Sequence, residues 1–245
     1  MPKINKANRQ VCDVDIRTLD KKPVLFFETA NTTTQDITGD SVYAMAKGTR
    51  RIAFANPIEG TATIEAQVYP FELYSLMTDG VIETTAAYPV RKTIKATEAG
   101  SITIADSNVM AGTVFVYATG TWGEDAIEGT YAEGKFTATT TEQIKADTDY
   151  EVGYVVTKNG GVKKISINNQ KLPKAYYITM DTVEKDENDV LTPYKLIFYK
   201  AQPQRNFSLS QSSEGDPASI TMTFDLLEDK DKNFVEMVEI EDEAE

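Results

Sequence analysis

Residues 61–68 alternate without a slip. Ala62, Ile64, Ala66 and Val68 fall on one face of an extended chain, and Thr61, Thr63, Glu65 and Gln67 on the other. A period of two with one apolar and one polar face fits a strand with a buried side and a wet side, and it excludes a helix. Just before it, Ile52 and Phe54 share a face in residues 51–55, and Asn56-Pro57-Ile58-Glu59-Gly60 supplies turn chemistry. The expectation is a β-hairpin, 51–55 against 61–68. Pro70 then stands at a first helical position, and Phe71, Leu73, Tyr74, Leu76 and Met77 form an apolar stripe. Gly80 is placed to close the helix in a left-handed conformation. That helix is short and is expected to cover a sheet.

The rest of the chain reads as further strands. Residues 23–29 are a compact β candidate, whereas 31–36 are polar and read as a loop. Strand character resumes over 90–97. From 98 the texture changes to short β runs at 101–105, 112–119, 134–139 and 150–157, suggesting a small sandwich inserted into the larger core. Asn159-Gly160-Gly161 reads as a hairpin turn between 150–157 and 162–168, because Asn and Gly tolerate positive φ. A second hairpin, 174–184 against 190–200, surrounds Asp186-Glu187-Asn188-Asp189. Residues 207–210 and 219–226 flank a polar loop, with Ile220, Met222, Phe224 and Leu226 on a buried face. The fold class is mainly β with one short helix: core residues 1–97, an inserted β-subdomain over 98–160, and core again over 161–245.

Charge narrows the function. A net charge of −13 argues against a surface built to grip phosphates. The ends differ in sign. Residues 1–22 carry Lys3, Lys6, Arg9, Arg17, Lys21 and Lys22, and residues 228–245 are dominated by Asp and Glu. They read either as solvated tails or as complementary arms between neighbouring copies, with Lys3, Lys6, Arg9 and Arg17 as the candidate arm residues. On that view, deleting 1–22 leaves a folded subunit that assembles poorly. Residues 1–22 contain no apolar run, so neither a signal peptide nor a membrane span is expected, and the protein is expected in the cytosol.

Reactive chemistry is scarce. The chain has no histidine, which removes histidine-based nucleophile systems, imidazole bases and histidine metal sites. Cys12 is the single cysteine, has no base near it in sequence and reads as a small apolar side chain. No glycine-rich phosphate loop follows a strand, and the acidic turn at 186–189 lacks the glycine and distant glutamate of a calcium loop. No catalytic residue, metal or cofactor is expected. Two other readings stay open. Trp122, Tyr117 and Tyr131 could form a sugar-stacking platform in a non-catalytic β-sandwich module for polysaccharide or a cell-surface partner. A carboxylate-dependent hydrolase would need two acids in a cleft.

Taken together, residues 47–54, 58–67 and 70–80 resemble the tail tube (major tail) proteins of long-tailed bacteriophages, which run a strand, a threonine-alternating strand and a helix ending at glycine. Residues 213–224 resemble the entry to their last strand. The resemblance covers about 1–97 and 161–245, and 98–160 is similar to the extra β-subdomains of larger members. It implies a β-sandwich or partial barrel joining its neighbours into hexameric rings, stacked into a tube that conducts DNA into the host. Implied partners are further copies of the chain and the tape measure, terminator and baseplate components, with assembly in the host cytoplasm and residence in the virion tail. The candidate lumen-lining residues are Glu59, Glu65, Gln67 and Asp225.

Overall fold

The computed structural model describes residues 5–208 and 217–240. Lys3, residues 209–216 and the acidic residues 241–245 lie outside that range. In chain order the strands are β1 (Lys6–Ala7), β2 (Asp13–Arg17), β3 (Pro23–Phe27), β4 (Ala30–Thr38), β5 (Ser41–Ala46), β6 (Thr49–Ala55) and β7 (Glu59–Ala66), followed by helix α1 (Glu72–Thr78). Then come β8 (Glu83–Lys95), β9 (Ser101–Thr103), β10 (Phe115–Ala118), β11 (Gly129–Ala132), β12 (Lys135–Ala138) and β13 (Asp149–Lys164). The chain finishes with β14 (Tyr176–Asp186), β15 (Leu191–Pro203), β16 (Ile220–Leu226) and β17 (Val235–Glu239).

The chain forms two compact units, residues 82–165 and the remainder. The division falls at 82 and 165 rather than at 98 and 160, because β8 pairs along its length with β13 and so belongs to the smaller unit.

The larger unit is built on an antiparallel sheet of nine strands in the order β3-β2-β14-β15-β16-β7-β4, with β1 beside β14 and β17 beside β15, and carries β5 and β6 as a separate two-stranded sheet. The nine-stranded sheet is not closed. It curls: Gln35 of β4 donates to the Met180 sulfur of β14 (3.1 Å), and the backbone N–H of Cys12 reaches the Thr33 hydroxyl (3.4 Å). Inside the curl lie Val14, Ile16, Ala62, Ile64, Ala66, Ile178, Met180, Phe198, Ile220, Met222 and Phe224, covered by Leu73, Leu76 and Met77 of α1. The alternation in 61–68 holds as far as Ala66; Val68 lies beyond the strand and is exposed. The helix closes on Asp79, which takes the left-handed conformation (φ 51°), and not on Gly80.

Three other expectations are corrected by strand pairing. The partner of β6 is β5, joined by a two-residue turn in which Lys47 and Gly48 both have positive φ, and β7 pairs instead with β4 and β16. Residues 31–36 are not a loop but part of β4, whose β-branched threonines suit an edge strand. Among the described residues, the segments next to the two chain ends are not free arms. Cys12, Val14 and Ile16 are buried in the core, β2 pairs with β14, and β17 pairs with β15. The hairpin at 186–189 is as expected, and the Asp186 carboxylate accepts from the backbone N–H groups of Asn188 and Val190 (both 2.8 Å).

The smaller unit has two three-stranded sheets, β10-β13-β8 and β11-β12-β9. They share a core that includes Ile102, Val116, Phe136, Val152 and Tyr154. The Tyr154 hydroxyl donates to Asp106 (2.5 Å), which also pairs with Lys92 (2.7 Å); Lys92 first, then Tyr154, holds the Asp106 carboxyl below the usual carboxylate range. Asn159-Gly160-Gly161 does not make a hairpin. β13 runs on through it, and between the Asn159–Thr85 and Lys164–Glu83 pairs it advances five positions while β8 advances two, which is a bulge.

Candidate assembly surfaces

Three neighbouring strands present one wet face. In β7, burial of Ala62, Ile64 and Ala66 turns Glu59, Thr61, Thr63 and Glu65 outward. Register sets Thr32 and Thr221 beside Glu65, Thr34 and Thr223 beside Thr63, and Asp36 and Asp225 beside Thr61. Hydroxyls and carboxylates therefore tile the outer side of β4, β7 and β16, and none of these strands contains Lys or Arg. The face is ordered within itself. The Thr63 and Thr223 hydroxyls lie 3.2 Å apart, and Gln204 donates to Asp225 (2.6 Å). Glu59, Glu65 and Asp225 thus share one surface. Gln67 is half-buried just past the end of β7.

The second surface is the β5–β6 hairpin, every residue of which is exposed. The pairs Val42–Phe54 and Ala44–Ile52 place Val42, Ile52 and Phe54 on one side, and these three with Met45 are 57–60 % exposed. A two-stranded ribbon alone is marginal in water, and this one leaves its apolar side chains exposed. Its turn end is basic: Lys47 is in the turn, Arg51 is the extra residue of a register shift, and the Arg50 guanidinium lies over the Tyr43 ring (4.3 Å).

The third surface is a hollow of about 560 Å³ at the root of that hairpin. Asp36, Glu59, Asp225 and Glu228 line it around an apolar floor that includes Ile58 and Phe234, and among the described residues no basic side chain lines it. Gly60 makes room for that floor: a Cβ there would lie 3.0 Å from Phe234 and 3.1 Å from Leu226. Glu228 and Phe234 are site residues missed from the sequence, because the acidic composition around them hid a segment that packs.

The arm candidates sit elsewhere. Arg17 is in β2 and pairs with Asp15 (2.6 Å), while Lys6 of β1 pairs with Glu239 of β17 in the same chain. Opposite charges at the two ends thus meet within one subunit. Arg9 is exposed between β1 and β2. Burial pushes the Cys12 thiol up, which disfavours the reactive thiolate. Tyr131 lies on β11, against the core of the smaller unit, in a different sheet from Tyr117; Tyr117 and Trp122 are in contact (ring centroids 5.0 Å).

Among the described residues, a curled antiparallel sheet with one short α-helix, with β3 and β4 at its two ends, and a second β-rich unit set into its sequence define the class: a mainly β protein. The family model of the YomU/Tube protein family matches residues 9–240, nearly the whole chain, and the chain belongs to that family. The resemblance carried by residues 47–80 therefore holds, and the protein is a structural component of the phage tail. A search among curated proteins finds no match. Among the described residues, no helix is long and apolar enough to cross a membrane.

Proposed function

We propose that the chain polymerises as hexameric rings, stacked into a tail tube whose bore conducts DNA. The observation that carries this reading is the face of β4, β7 and β16, where acids and threonines stand in register with no cation among them. A duplex carries one negative charge per roughly 1.7 Å of axis, so a wall of this kind repels it and leaves it free to slide. In this reading Glu59, Glu65 and Asp225 line the bore. The open edges of β3 and β4 pair with neighbouring copies, which removes the aggregation hazard of an exposed strand.

The hairpin supplies a directional contact. Its seven-residue strand spans roughly 20 Å, separating a basic tip from the acidic hollow at its root. Two such hairpins attract when tip meets root, which is a head-to-tail contact of the kind that closes rings. Burying Val42, Met45, Ile52 and Phe54 adds roughly 1–2 kcal/mol each.

The bore reading makes a specific prediction. Tubes assembled from the Glu65→Lys, Thr221→Lys double variant, whose two positions are paired on the wet face and lie outside the hollow, should retain duplex DNA after gel filtration at low salt and release it as salt rises, whereas wild-type tubes should elute free of DNA. Both positions lie on the wet face, so the fold should tolerate the exchange within about 0.5 kcal/mol per site. DNA retained by wild-type tubes, or excluded equally by both, argues against this face as the wall.

A further inference from the structure

The smaller unit carries an aromatic cleft that the tube reading does not use. In β10, the inward turn of Val116 sends Phe115 and Tyr117 to the opposite side of the sheet, away from the core. Register sets Phe115 and Arg91 on either side of Gly153, and Tyr117 and Thr93 on either side of Glu151. Trp122, from the loop after β10, lies across that glycine. A Cβ at position 153 would come within 2.3 Å of the indole, so the absence of a side chain is what lets the ring rest on the strand. Tyr117 flanks Trp122, and the Arg91 guanidinium stands 4.5 Å from its ring centroid while pairing with Glu151 (2.9 Å). Phe115 is 51 % exposed and Trp122 40 %. The cleft beside them holds about 550 Å³, within the roughly 300–1,000 Å³ of ligand sites.

We propose that this cleft binds a neutral glycan chain. Nothing in the unit's own core calls for two large aromatic side chains on the solvent side of a three-stranded sheet, and a ligand that covers them recovers that apolar area. The Arg91–Glu151 pair narrows the chemistry. The mostly buried Glu151 holds the Arg91 guanidinium in place on the cleft lining, where its remaining N–H donors complement the lone pairs of adjacent hydroxyls. A pyranose offers both parts together: a flat C–H face to lie on the rings and a rim of hydroxyls to meet the guanidinium. A purely apolar chain uses only the rings, and an anionic polymer meets a chain of net charge −13. The inference does not depend on the tube reading, since every residue in it belongs to residues 82–165.

Trp122 is the only tryptophan in the chain, so its emission reports on the cleft alone. The full-length protein is titrated with cellohexaose, maltohexaose and chitohexaose, with decaproline as the peptide probe. At least one hexasaccharide should give a saturable change in emission, weakened about tenfold or more by Phe115→Ala and by Arg91→Ala. Both side chains are on the solvent side, and unchanged thermal melting of the variants confirms that the unit is folded. No saturable change with any of the three at about 10 mM, weaker than most specific affinities, overturns the proposal. So does a change indifferent to Phe115→Ala, a response to decaproline instead, or an emission shift on protein dilution alone, which would assign the face to contact between copies.

Discussion

A chain lacking residues 1–17 should fail to fold its larger unit. β2 is an interior strand, paired with β14 on one side and β3 on the other, and it brings Val14 and Ile16 into the core beside Cys12, which precedes it. Truncating one buried aliphatic side chain of this size costs about 0.5–5 kcal/mol, while a domain's whole stability is about 5–15 kcal/mol. Removing three buried side chains and three hydrogen-bonded ladders together exceeds that margin. Differential scanning calorimetry should show the transition of the larger unit lost and that of residues 82–165 kept. Ile16→Ala, a milder change, should lower the first transition by several degrees and leave the second in place. A truncated chain that melts like the full-length protein would show that β2 is dispensable.

Reversing the charge of the hairpin tip should abolish assembly without touching the fold. Arg50 and Arg51 are exposed, so Arg50→Glu with Arg51→Glu leaves the core unaltered. In the assembly they would instead set carboxylates against Asp36, Glu59, Asp225 and Glu228 of the next copy. Like charges brought together at an interface cost several kcal/mol, enough to raise the concentration needed for assembly about a hundredfold or more. The reciprocal variant, Glu59→Arg with Asp225→Arg, should fail in the same way. A chain carrying all four changes should assemble again, because the attraction is restored with its sign inverted. Light scattering against concentration reads all four proteins. Assembly of the tip variant at wild-type concentration, or loss that the fourfold variant does not repair, places the contact elsewhere and leaves the ring reading to stand on its other surfaces.

How much of this the sequence carried depended on whether the signal was local. The alternations that build β7, β14 and β16 reflect burial of one face and were legible residue by residue, as was the turn at Asp186–Asp189. Pairing was not local. Asn56-Pro57 lies next to the alternating strand and looked like its turn, but the two-residue reversal is at Lys47-Gly48, and β7 pairs with β4 before that hairpin and with β16 far away in the chain. Asn159-Gly160-Gly161 supplies positive φ, which a bulge needs as much as a hairpin does. Only the partner strand decides between them.

Charge hid other signals. Cys12, Val14 and Ile16 alternate as cleanly as the central strand does, yet the basic residues around them suggested an arm. The acids after residue 228 likewise masked β17 and Phe234. Three of the four proposed lumen residues do lie together on one face, since a period of two fixes which side chains share a side. What stands opposite that face is a matter of other copies, which one chain's alternation does not encode.

Electron cryomicroscopy of the purified protein at assembling concentrations tests the central claim most directly. The account predicts hollow stacked rings with the Thr63, Glu65 and Asp225 side of β7 and β16 turned to the bore and the hairpin of each copy seated against the next. A monodisperse monomer at every concentration, or a tube that carries this face on its outside, would contradict it.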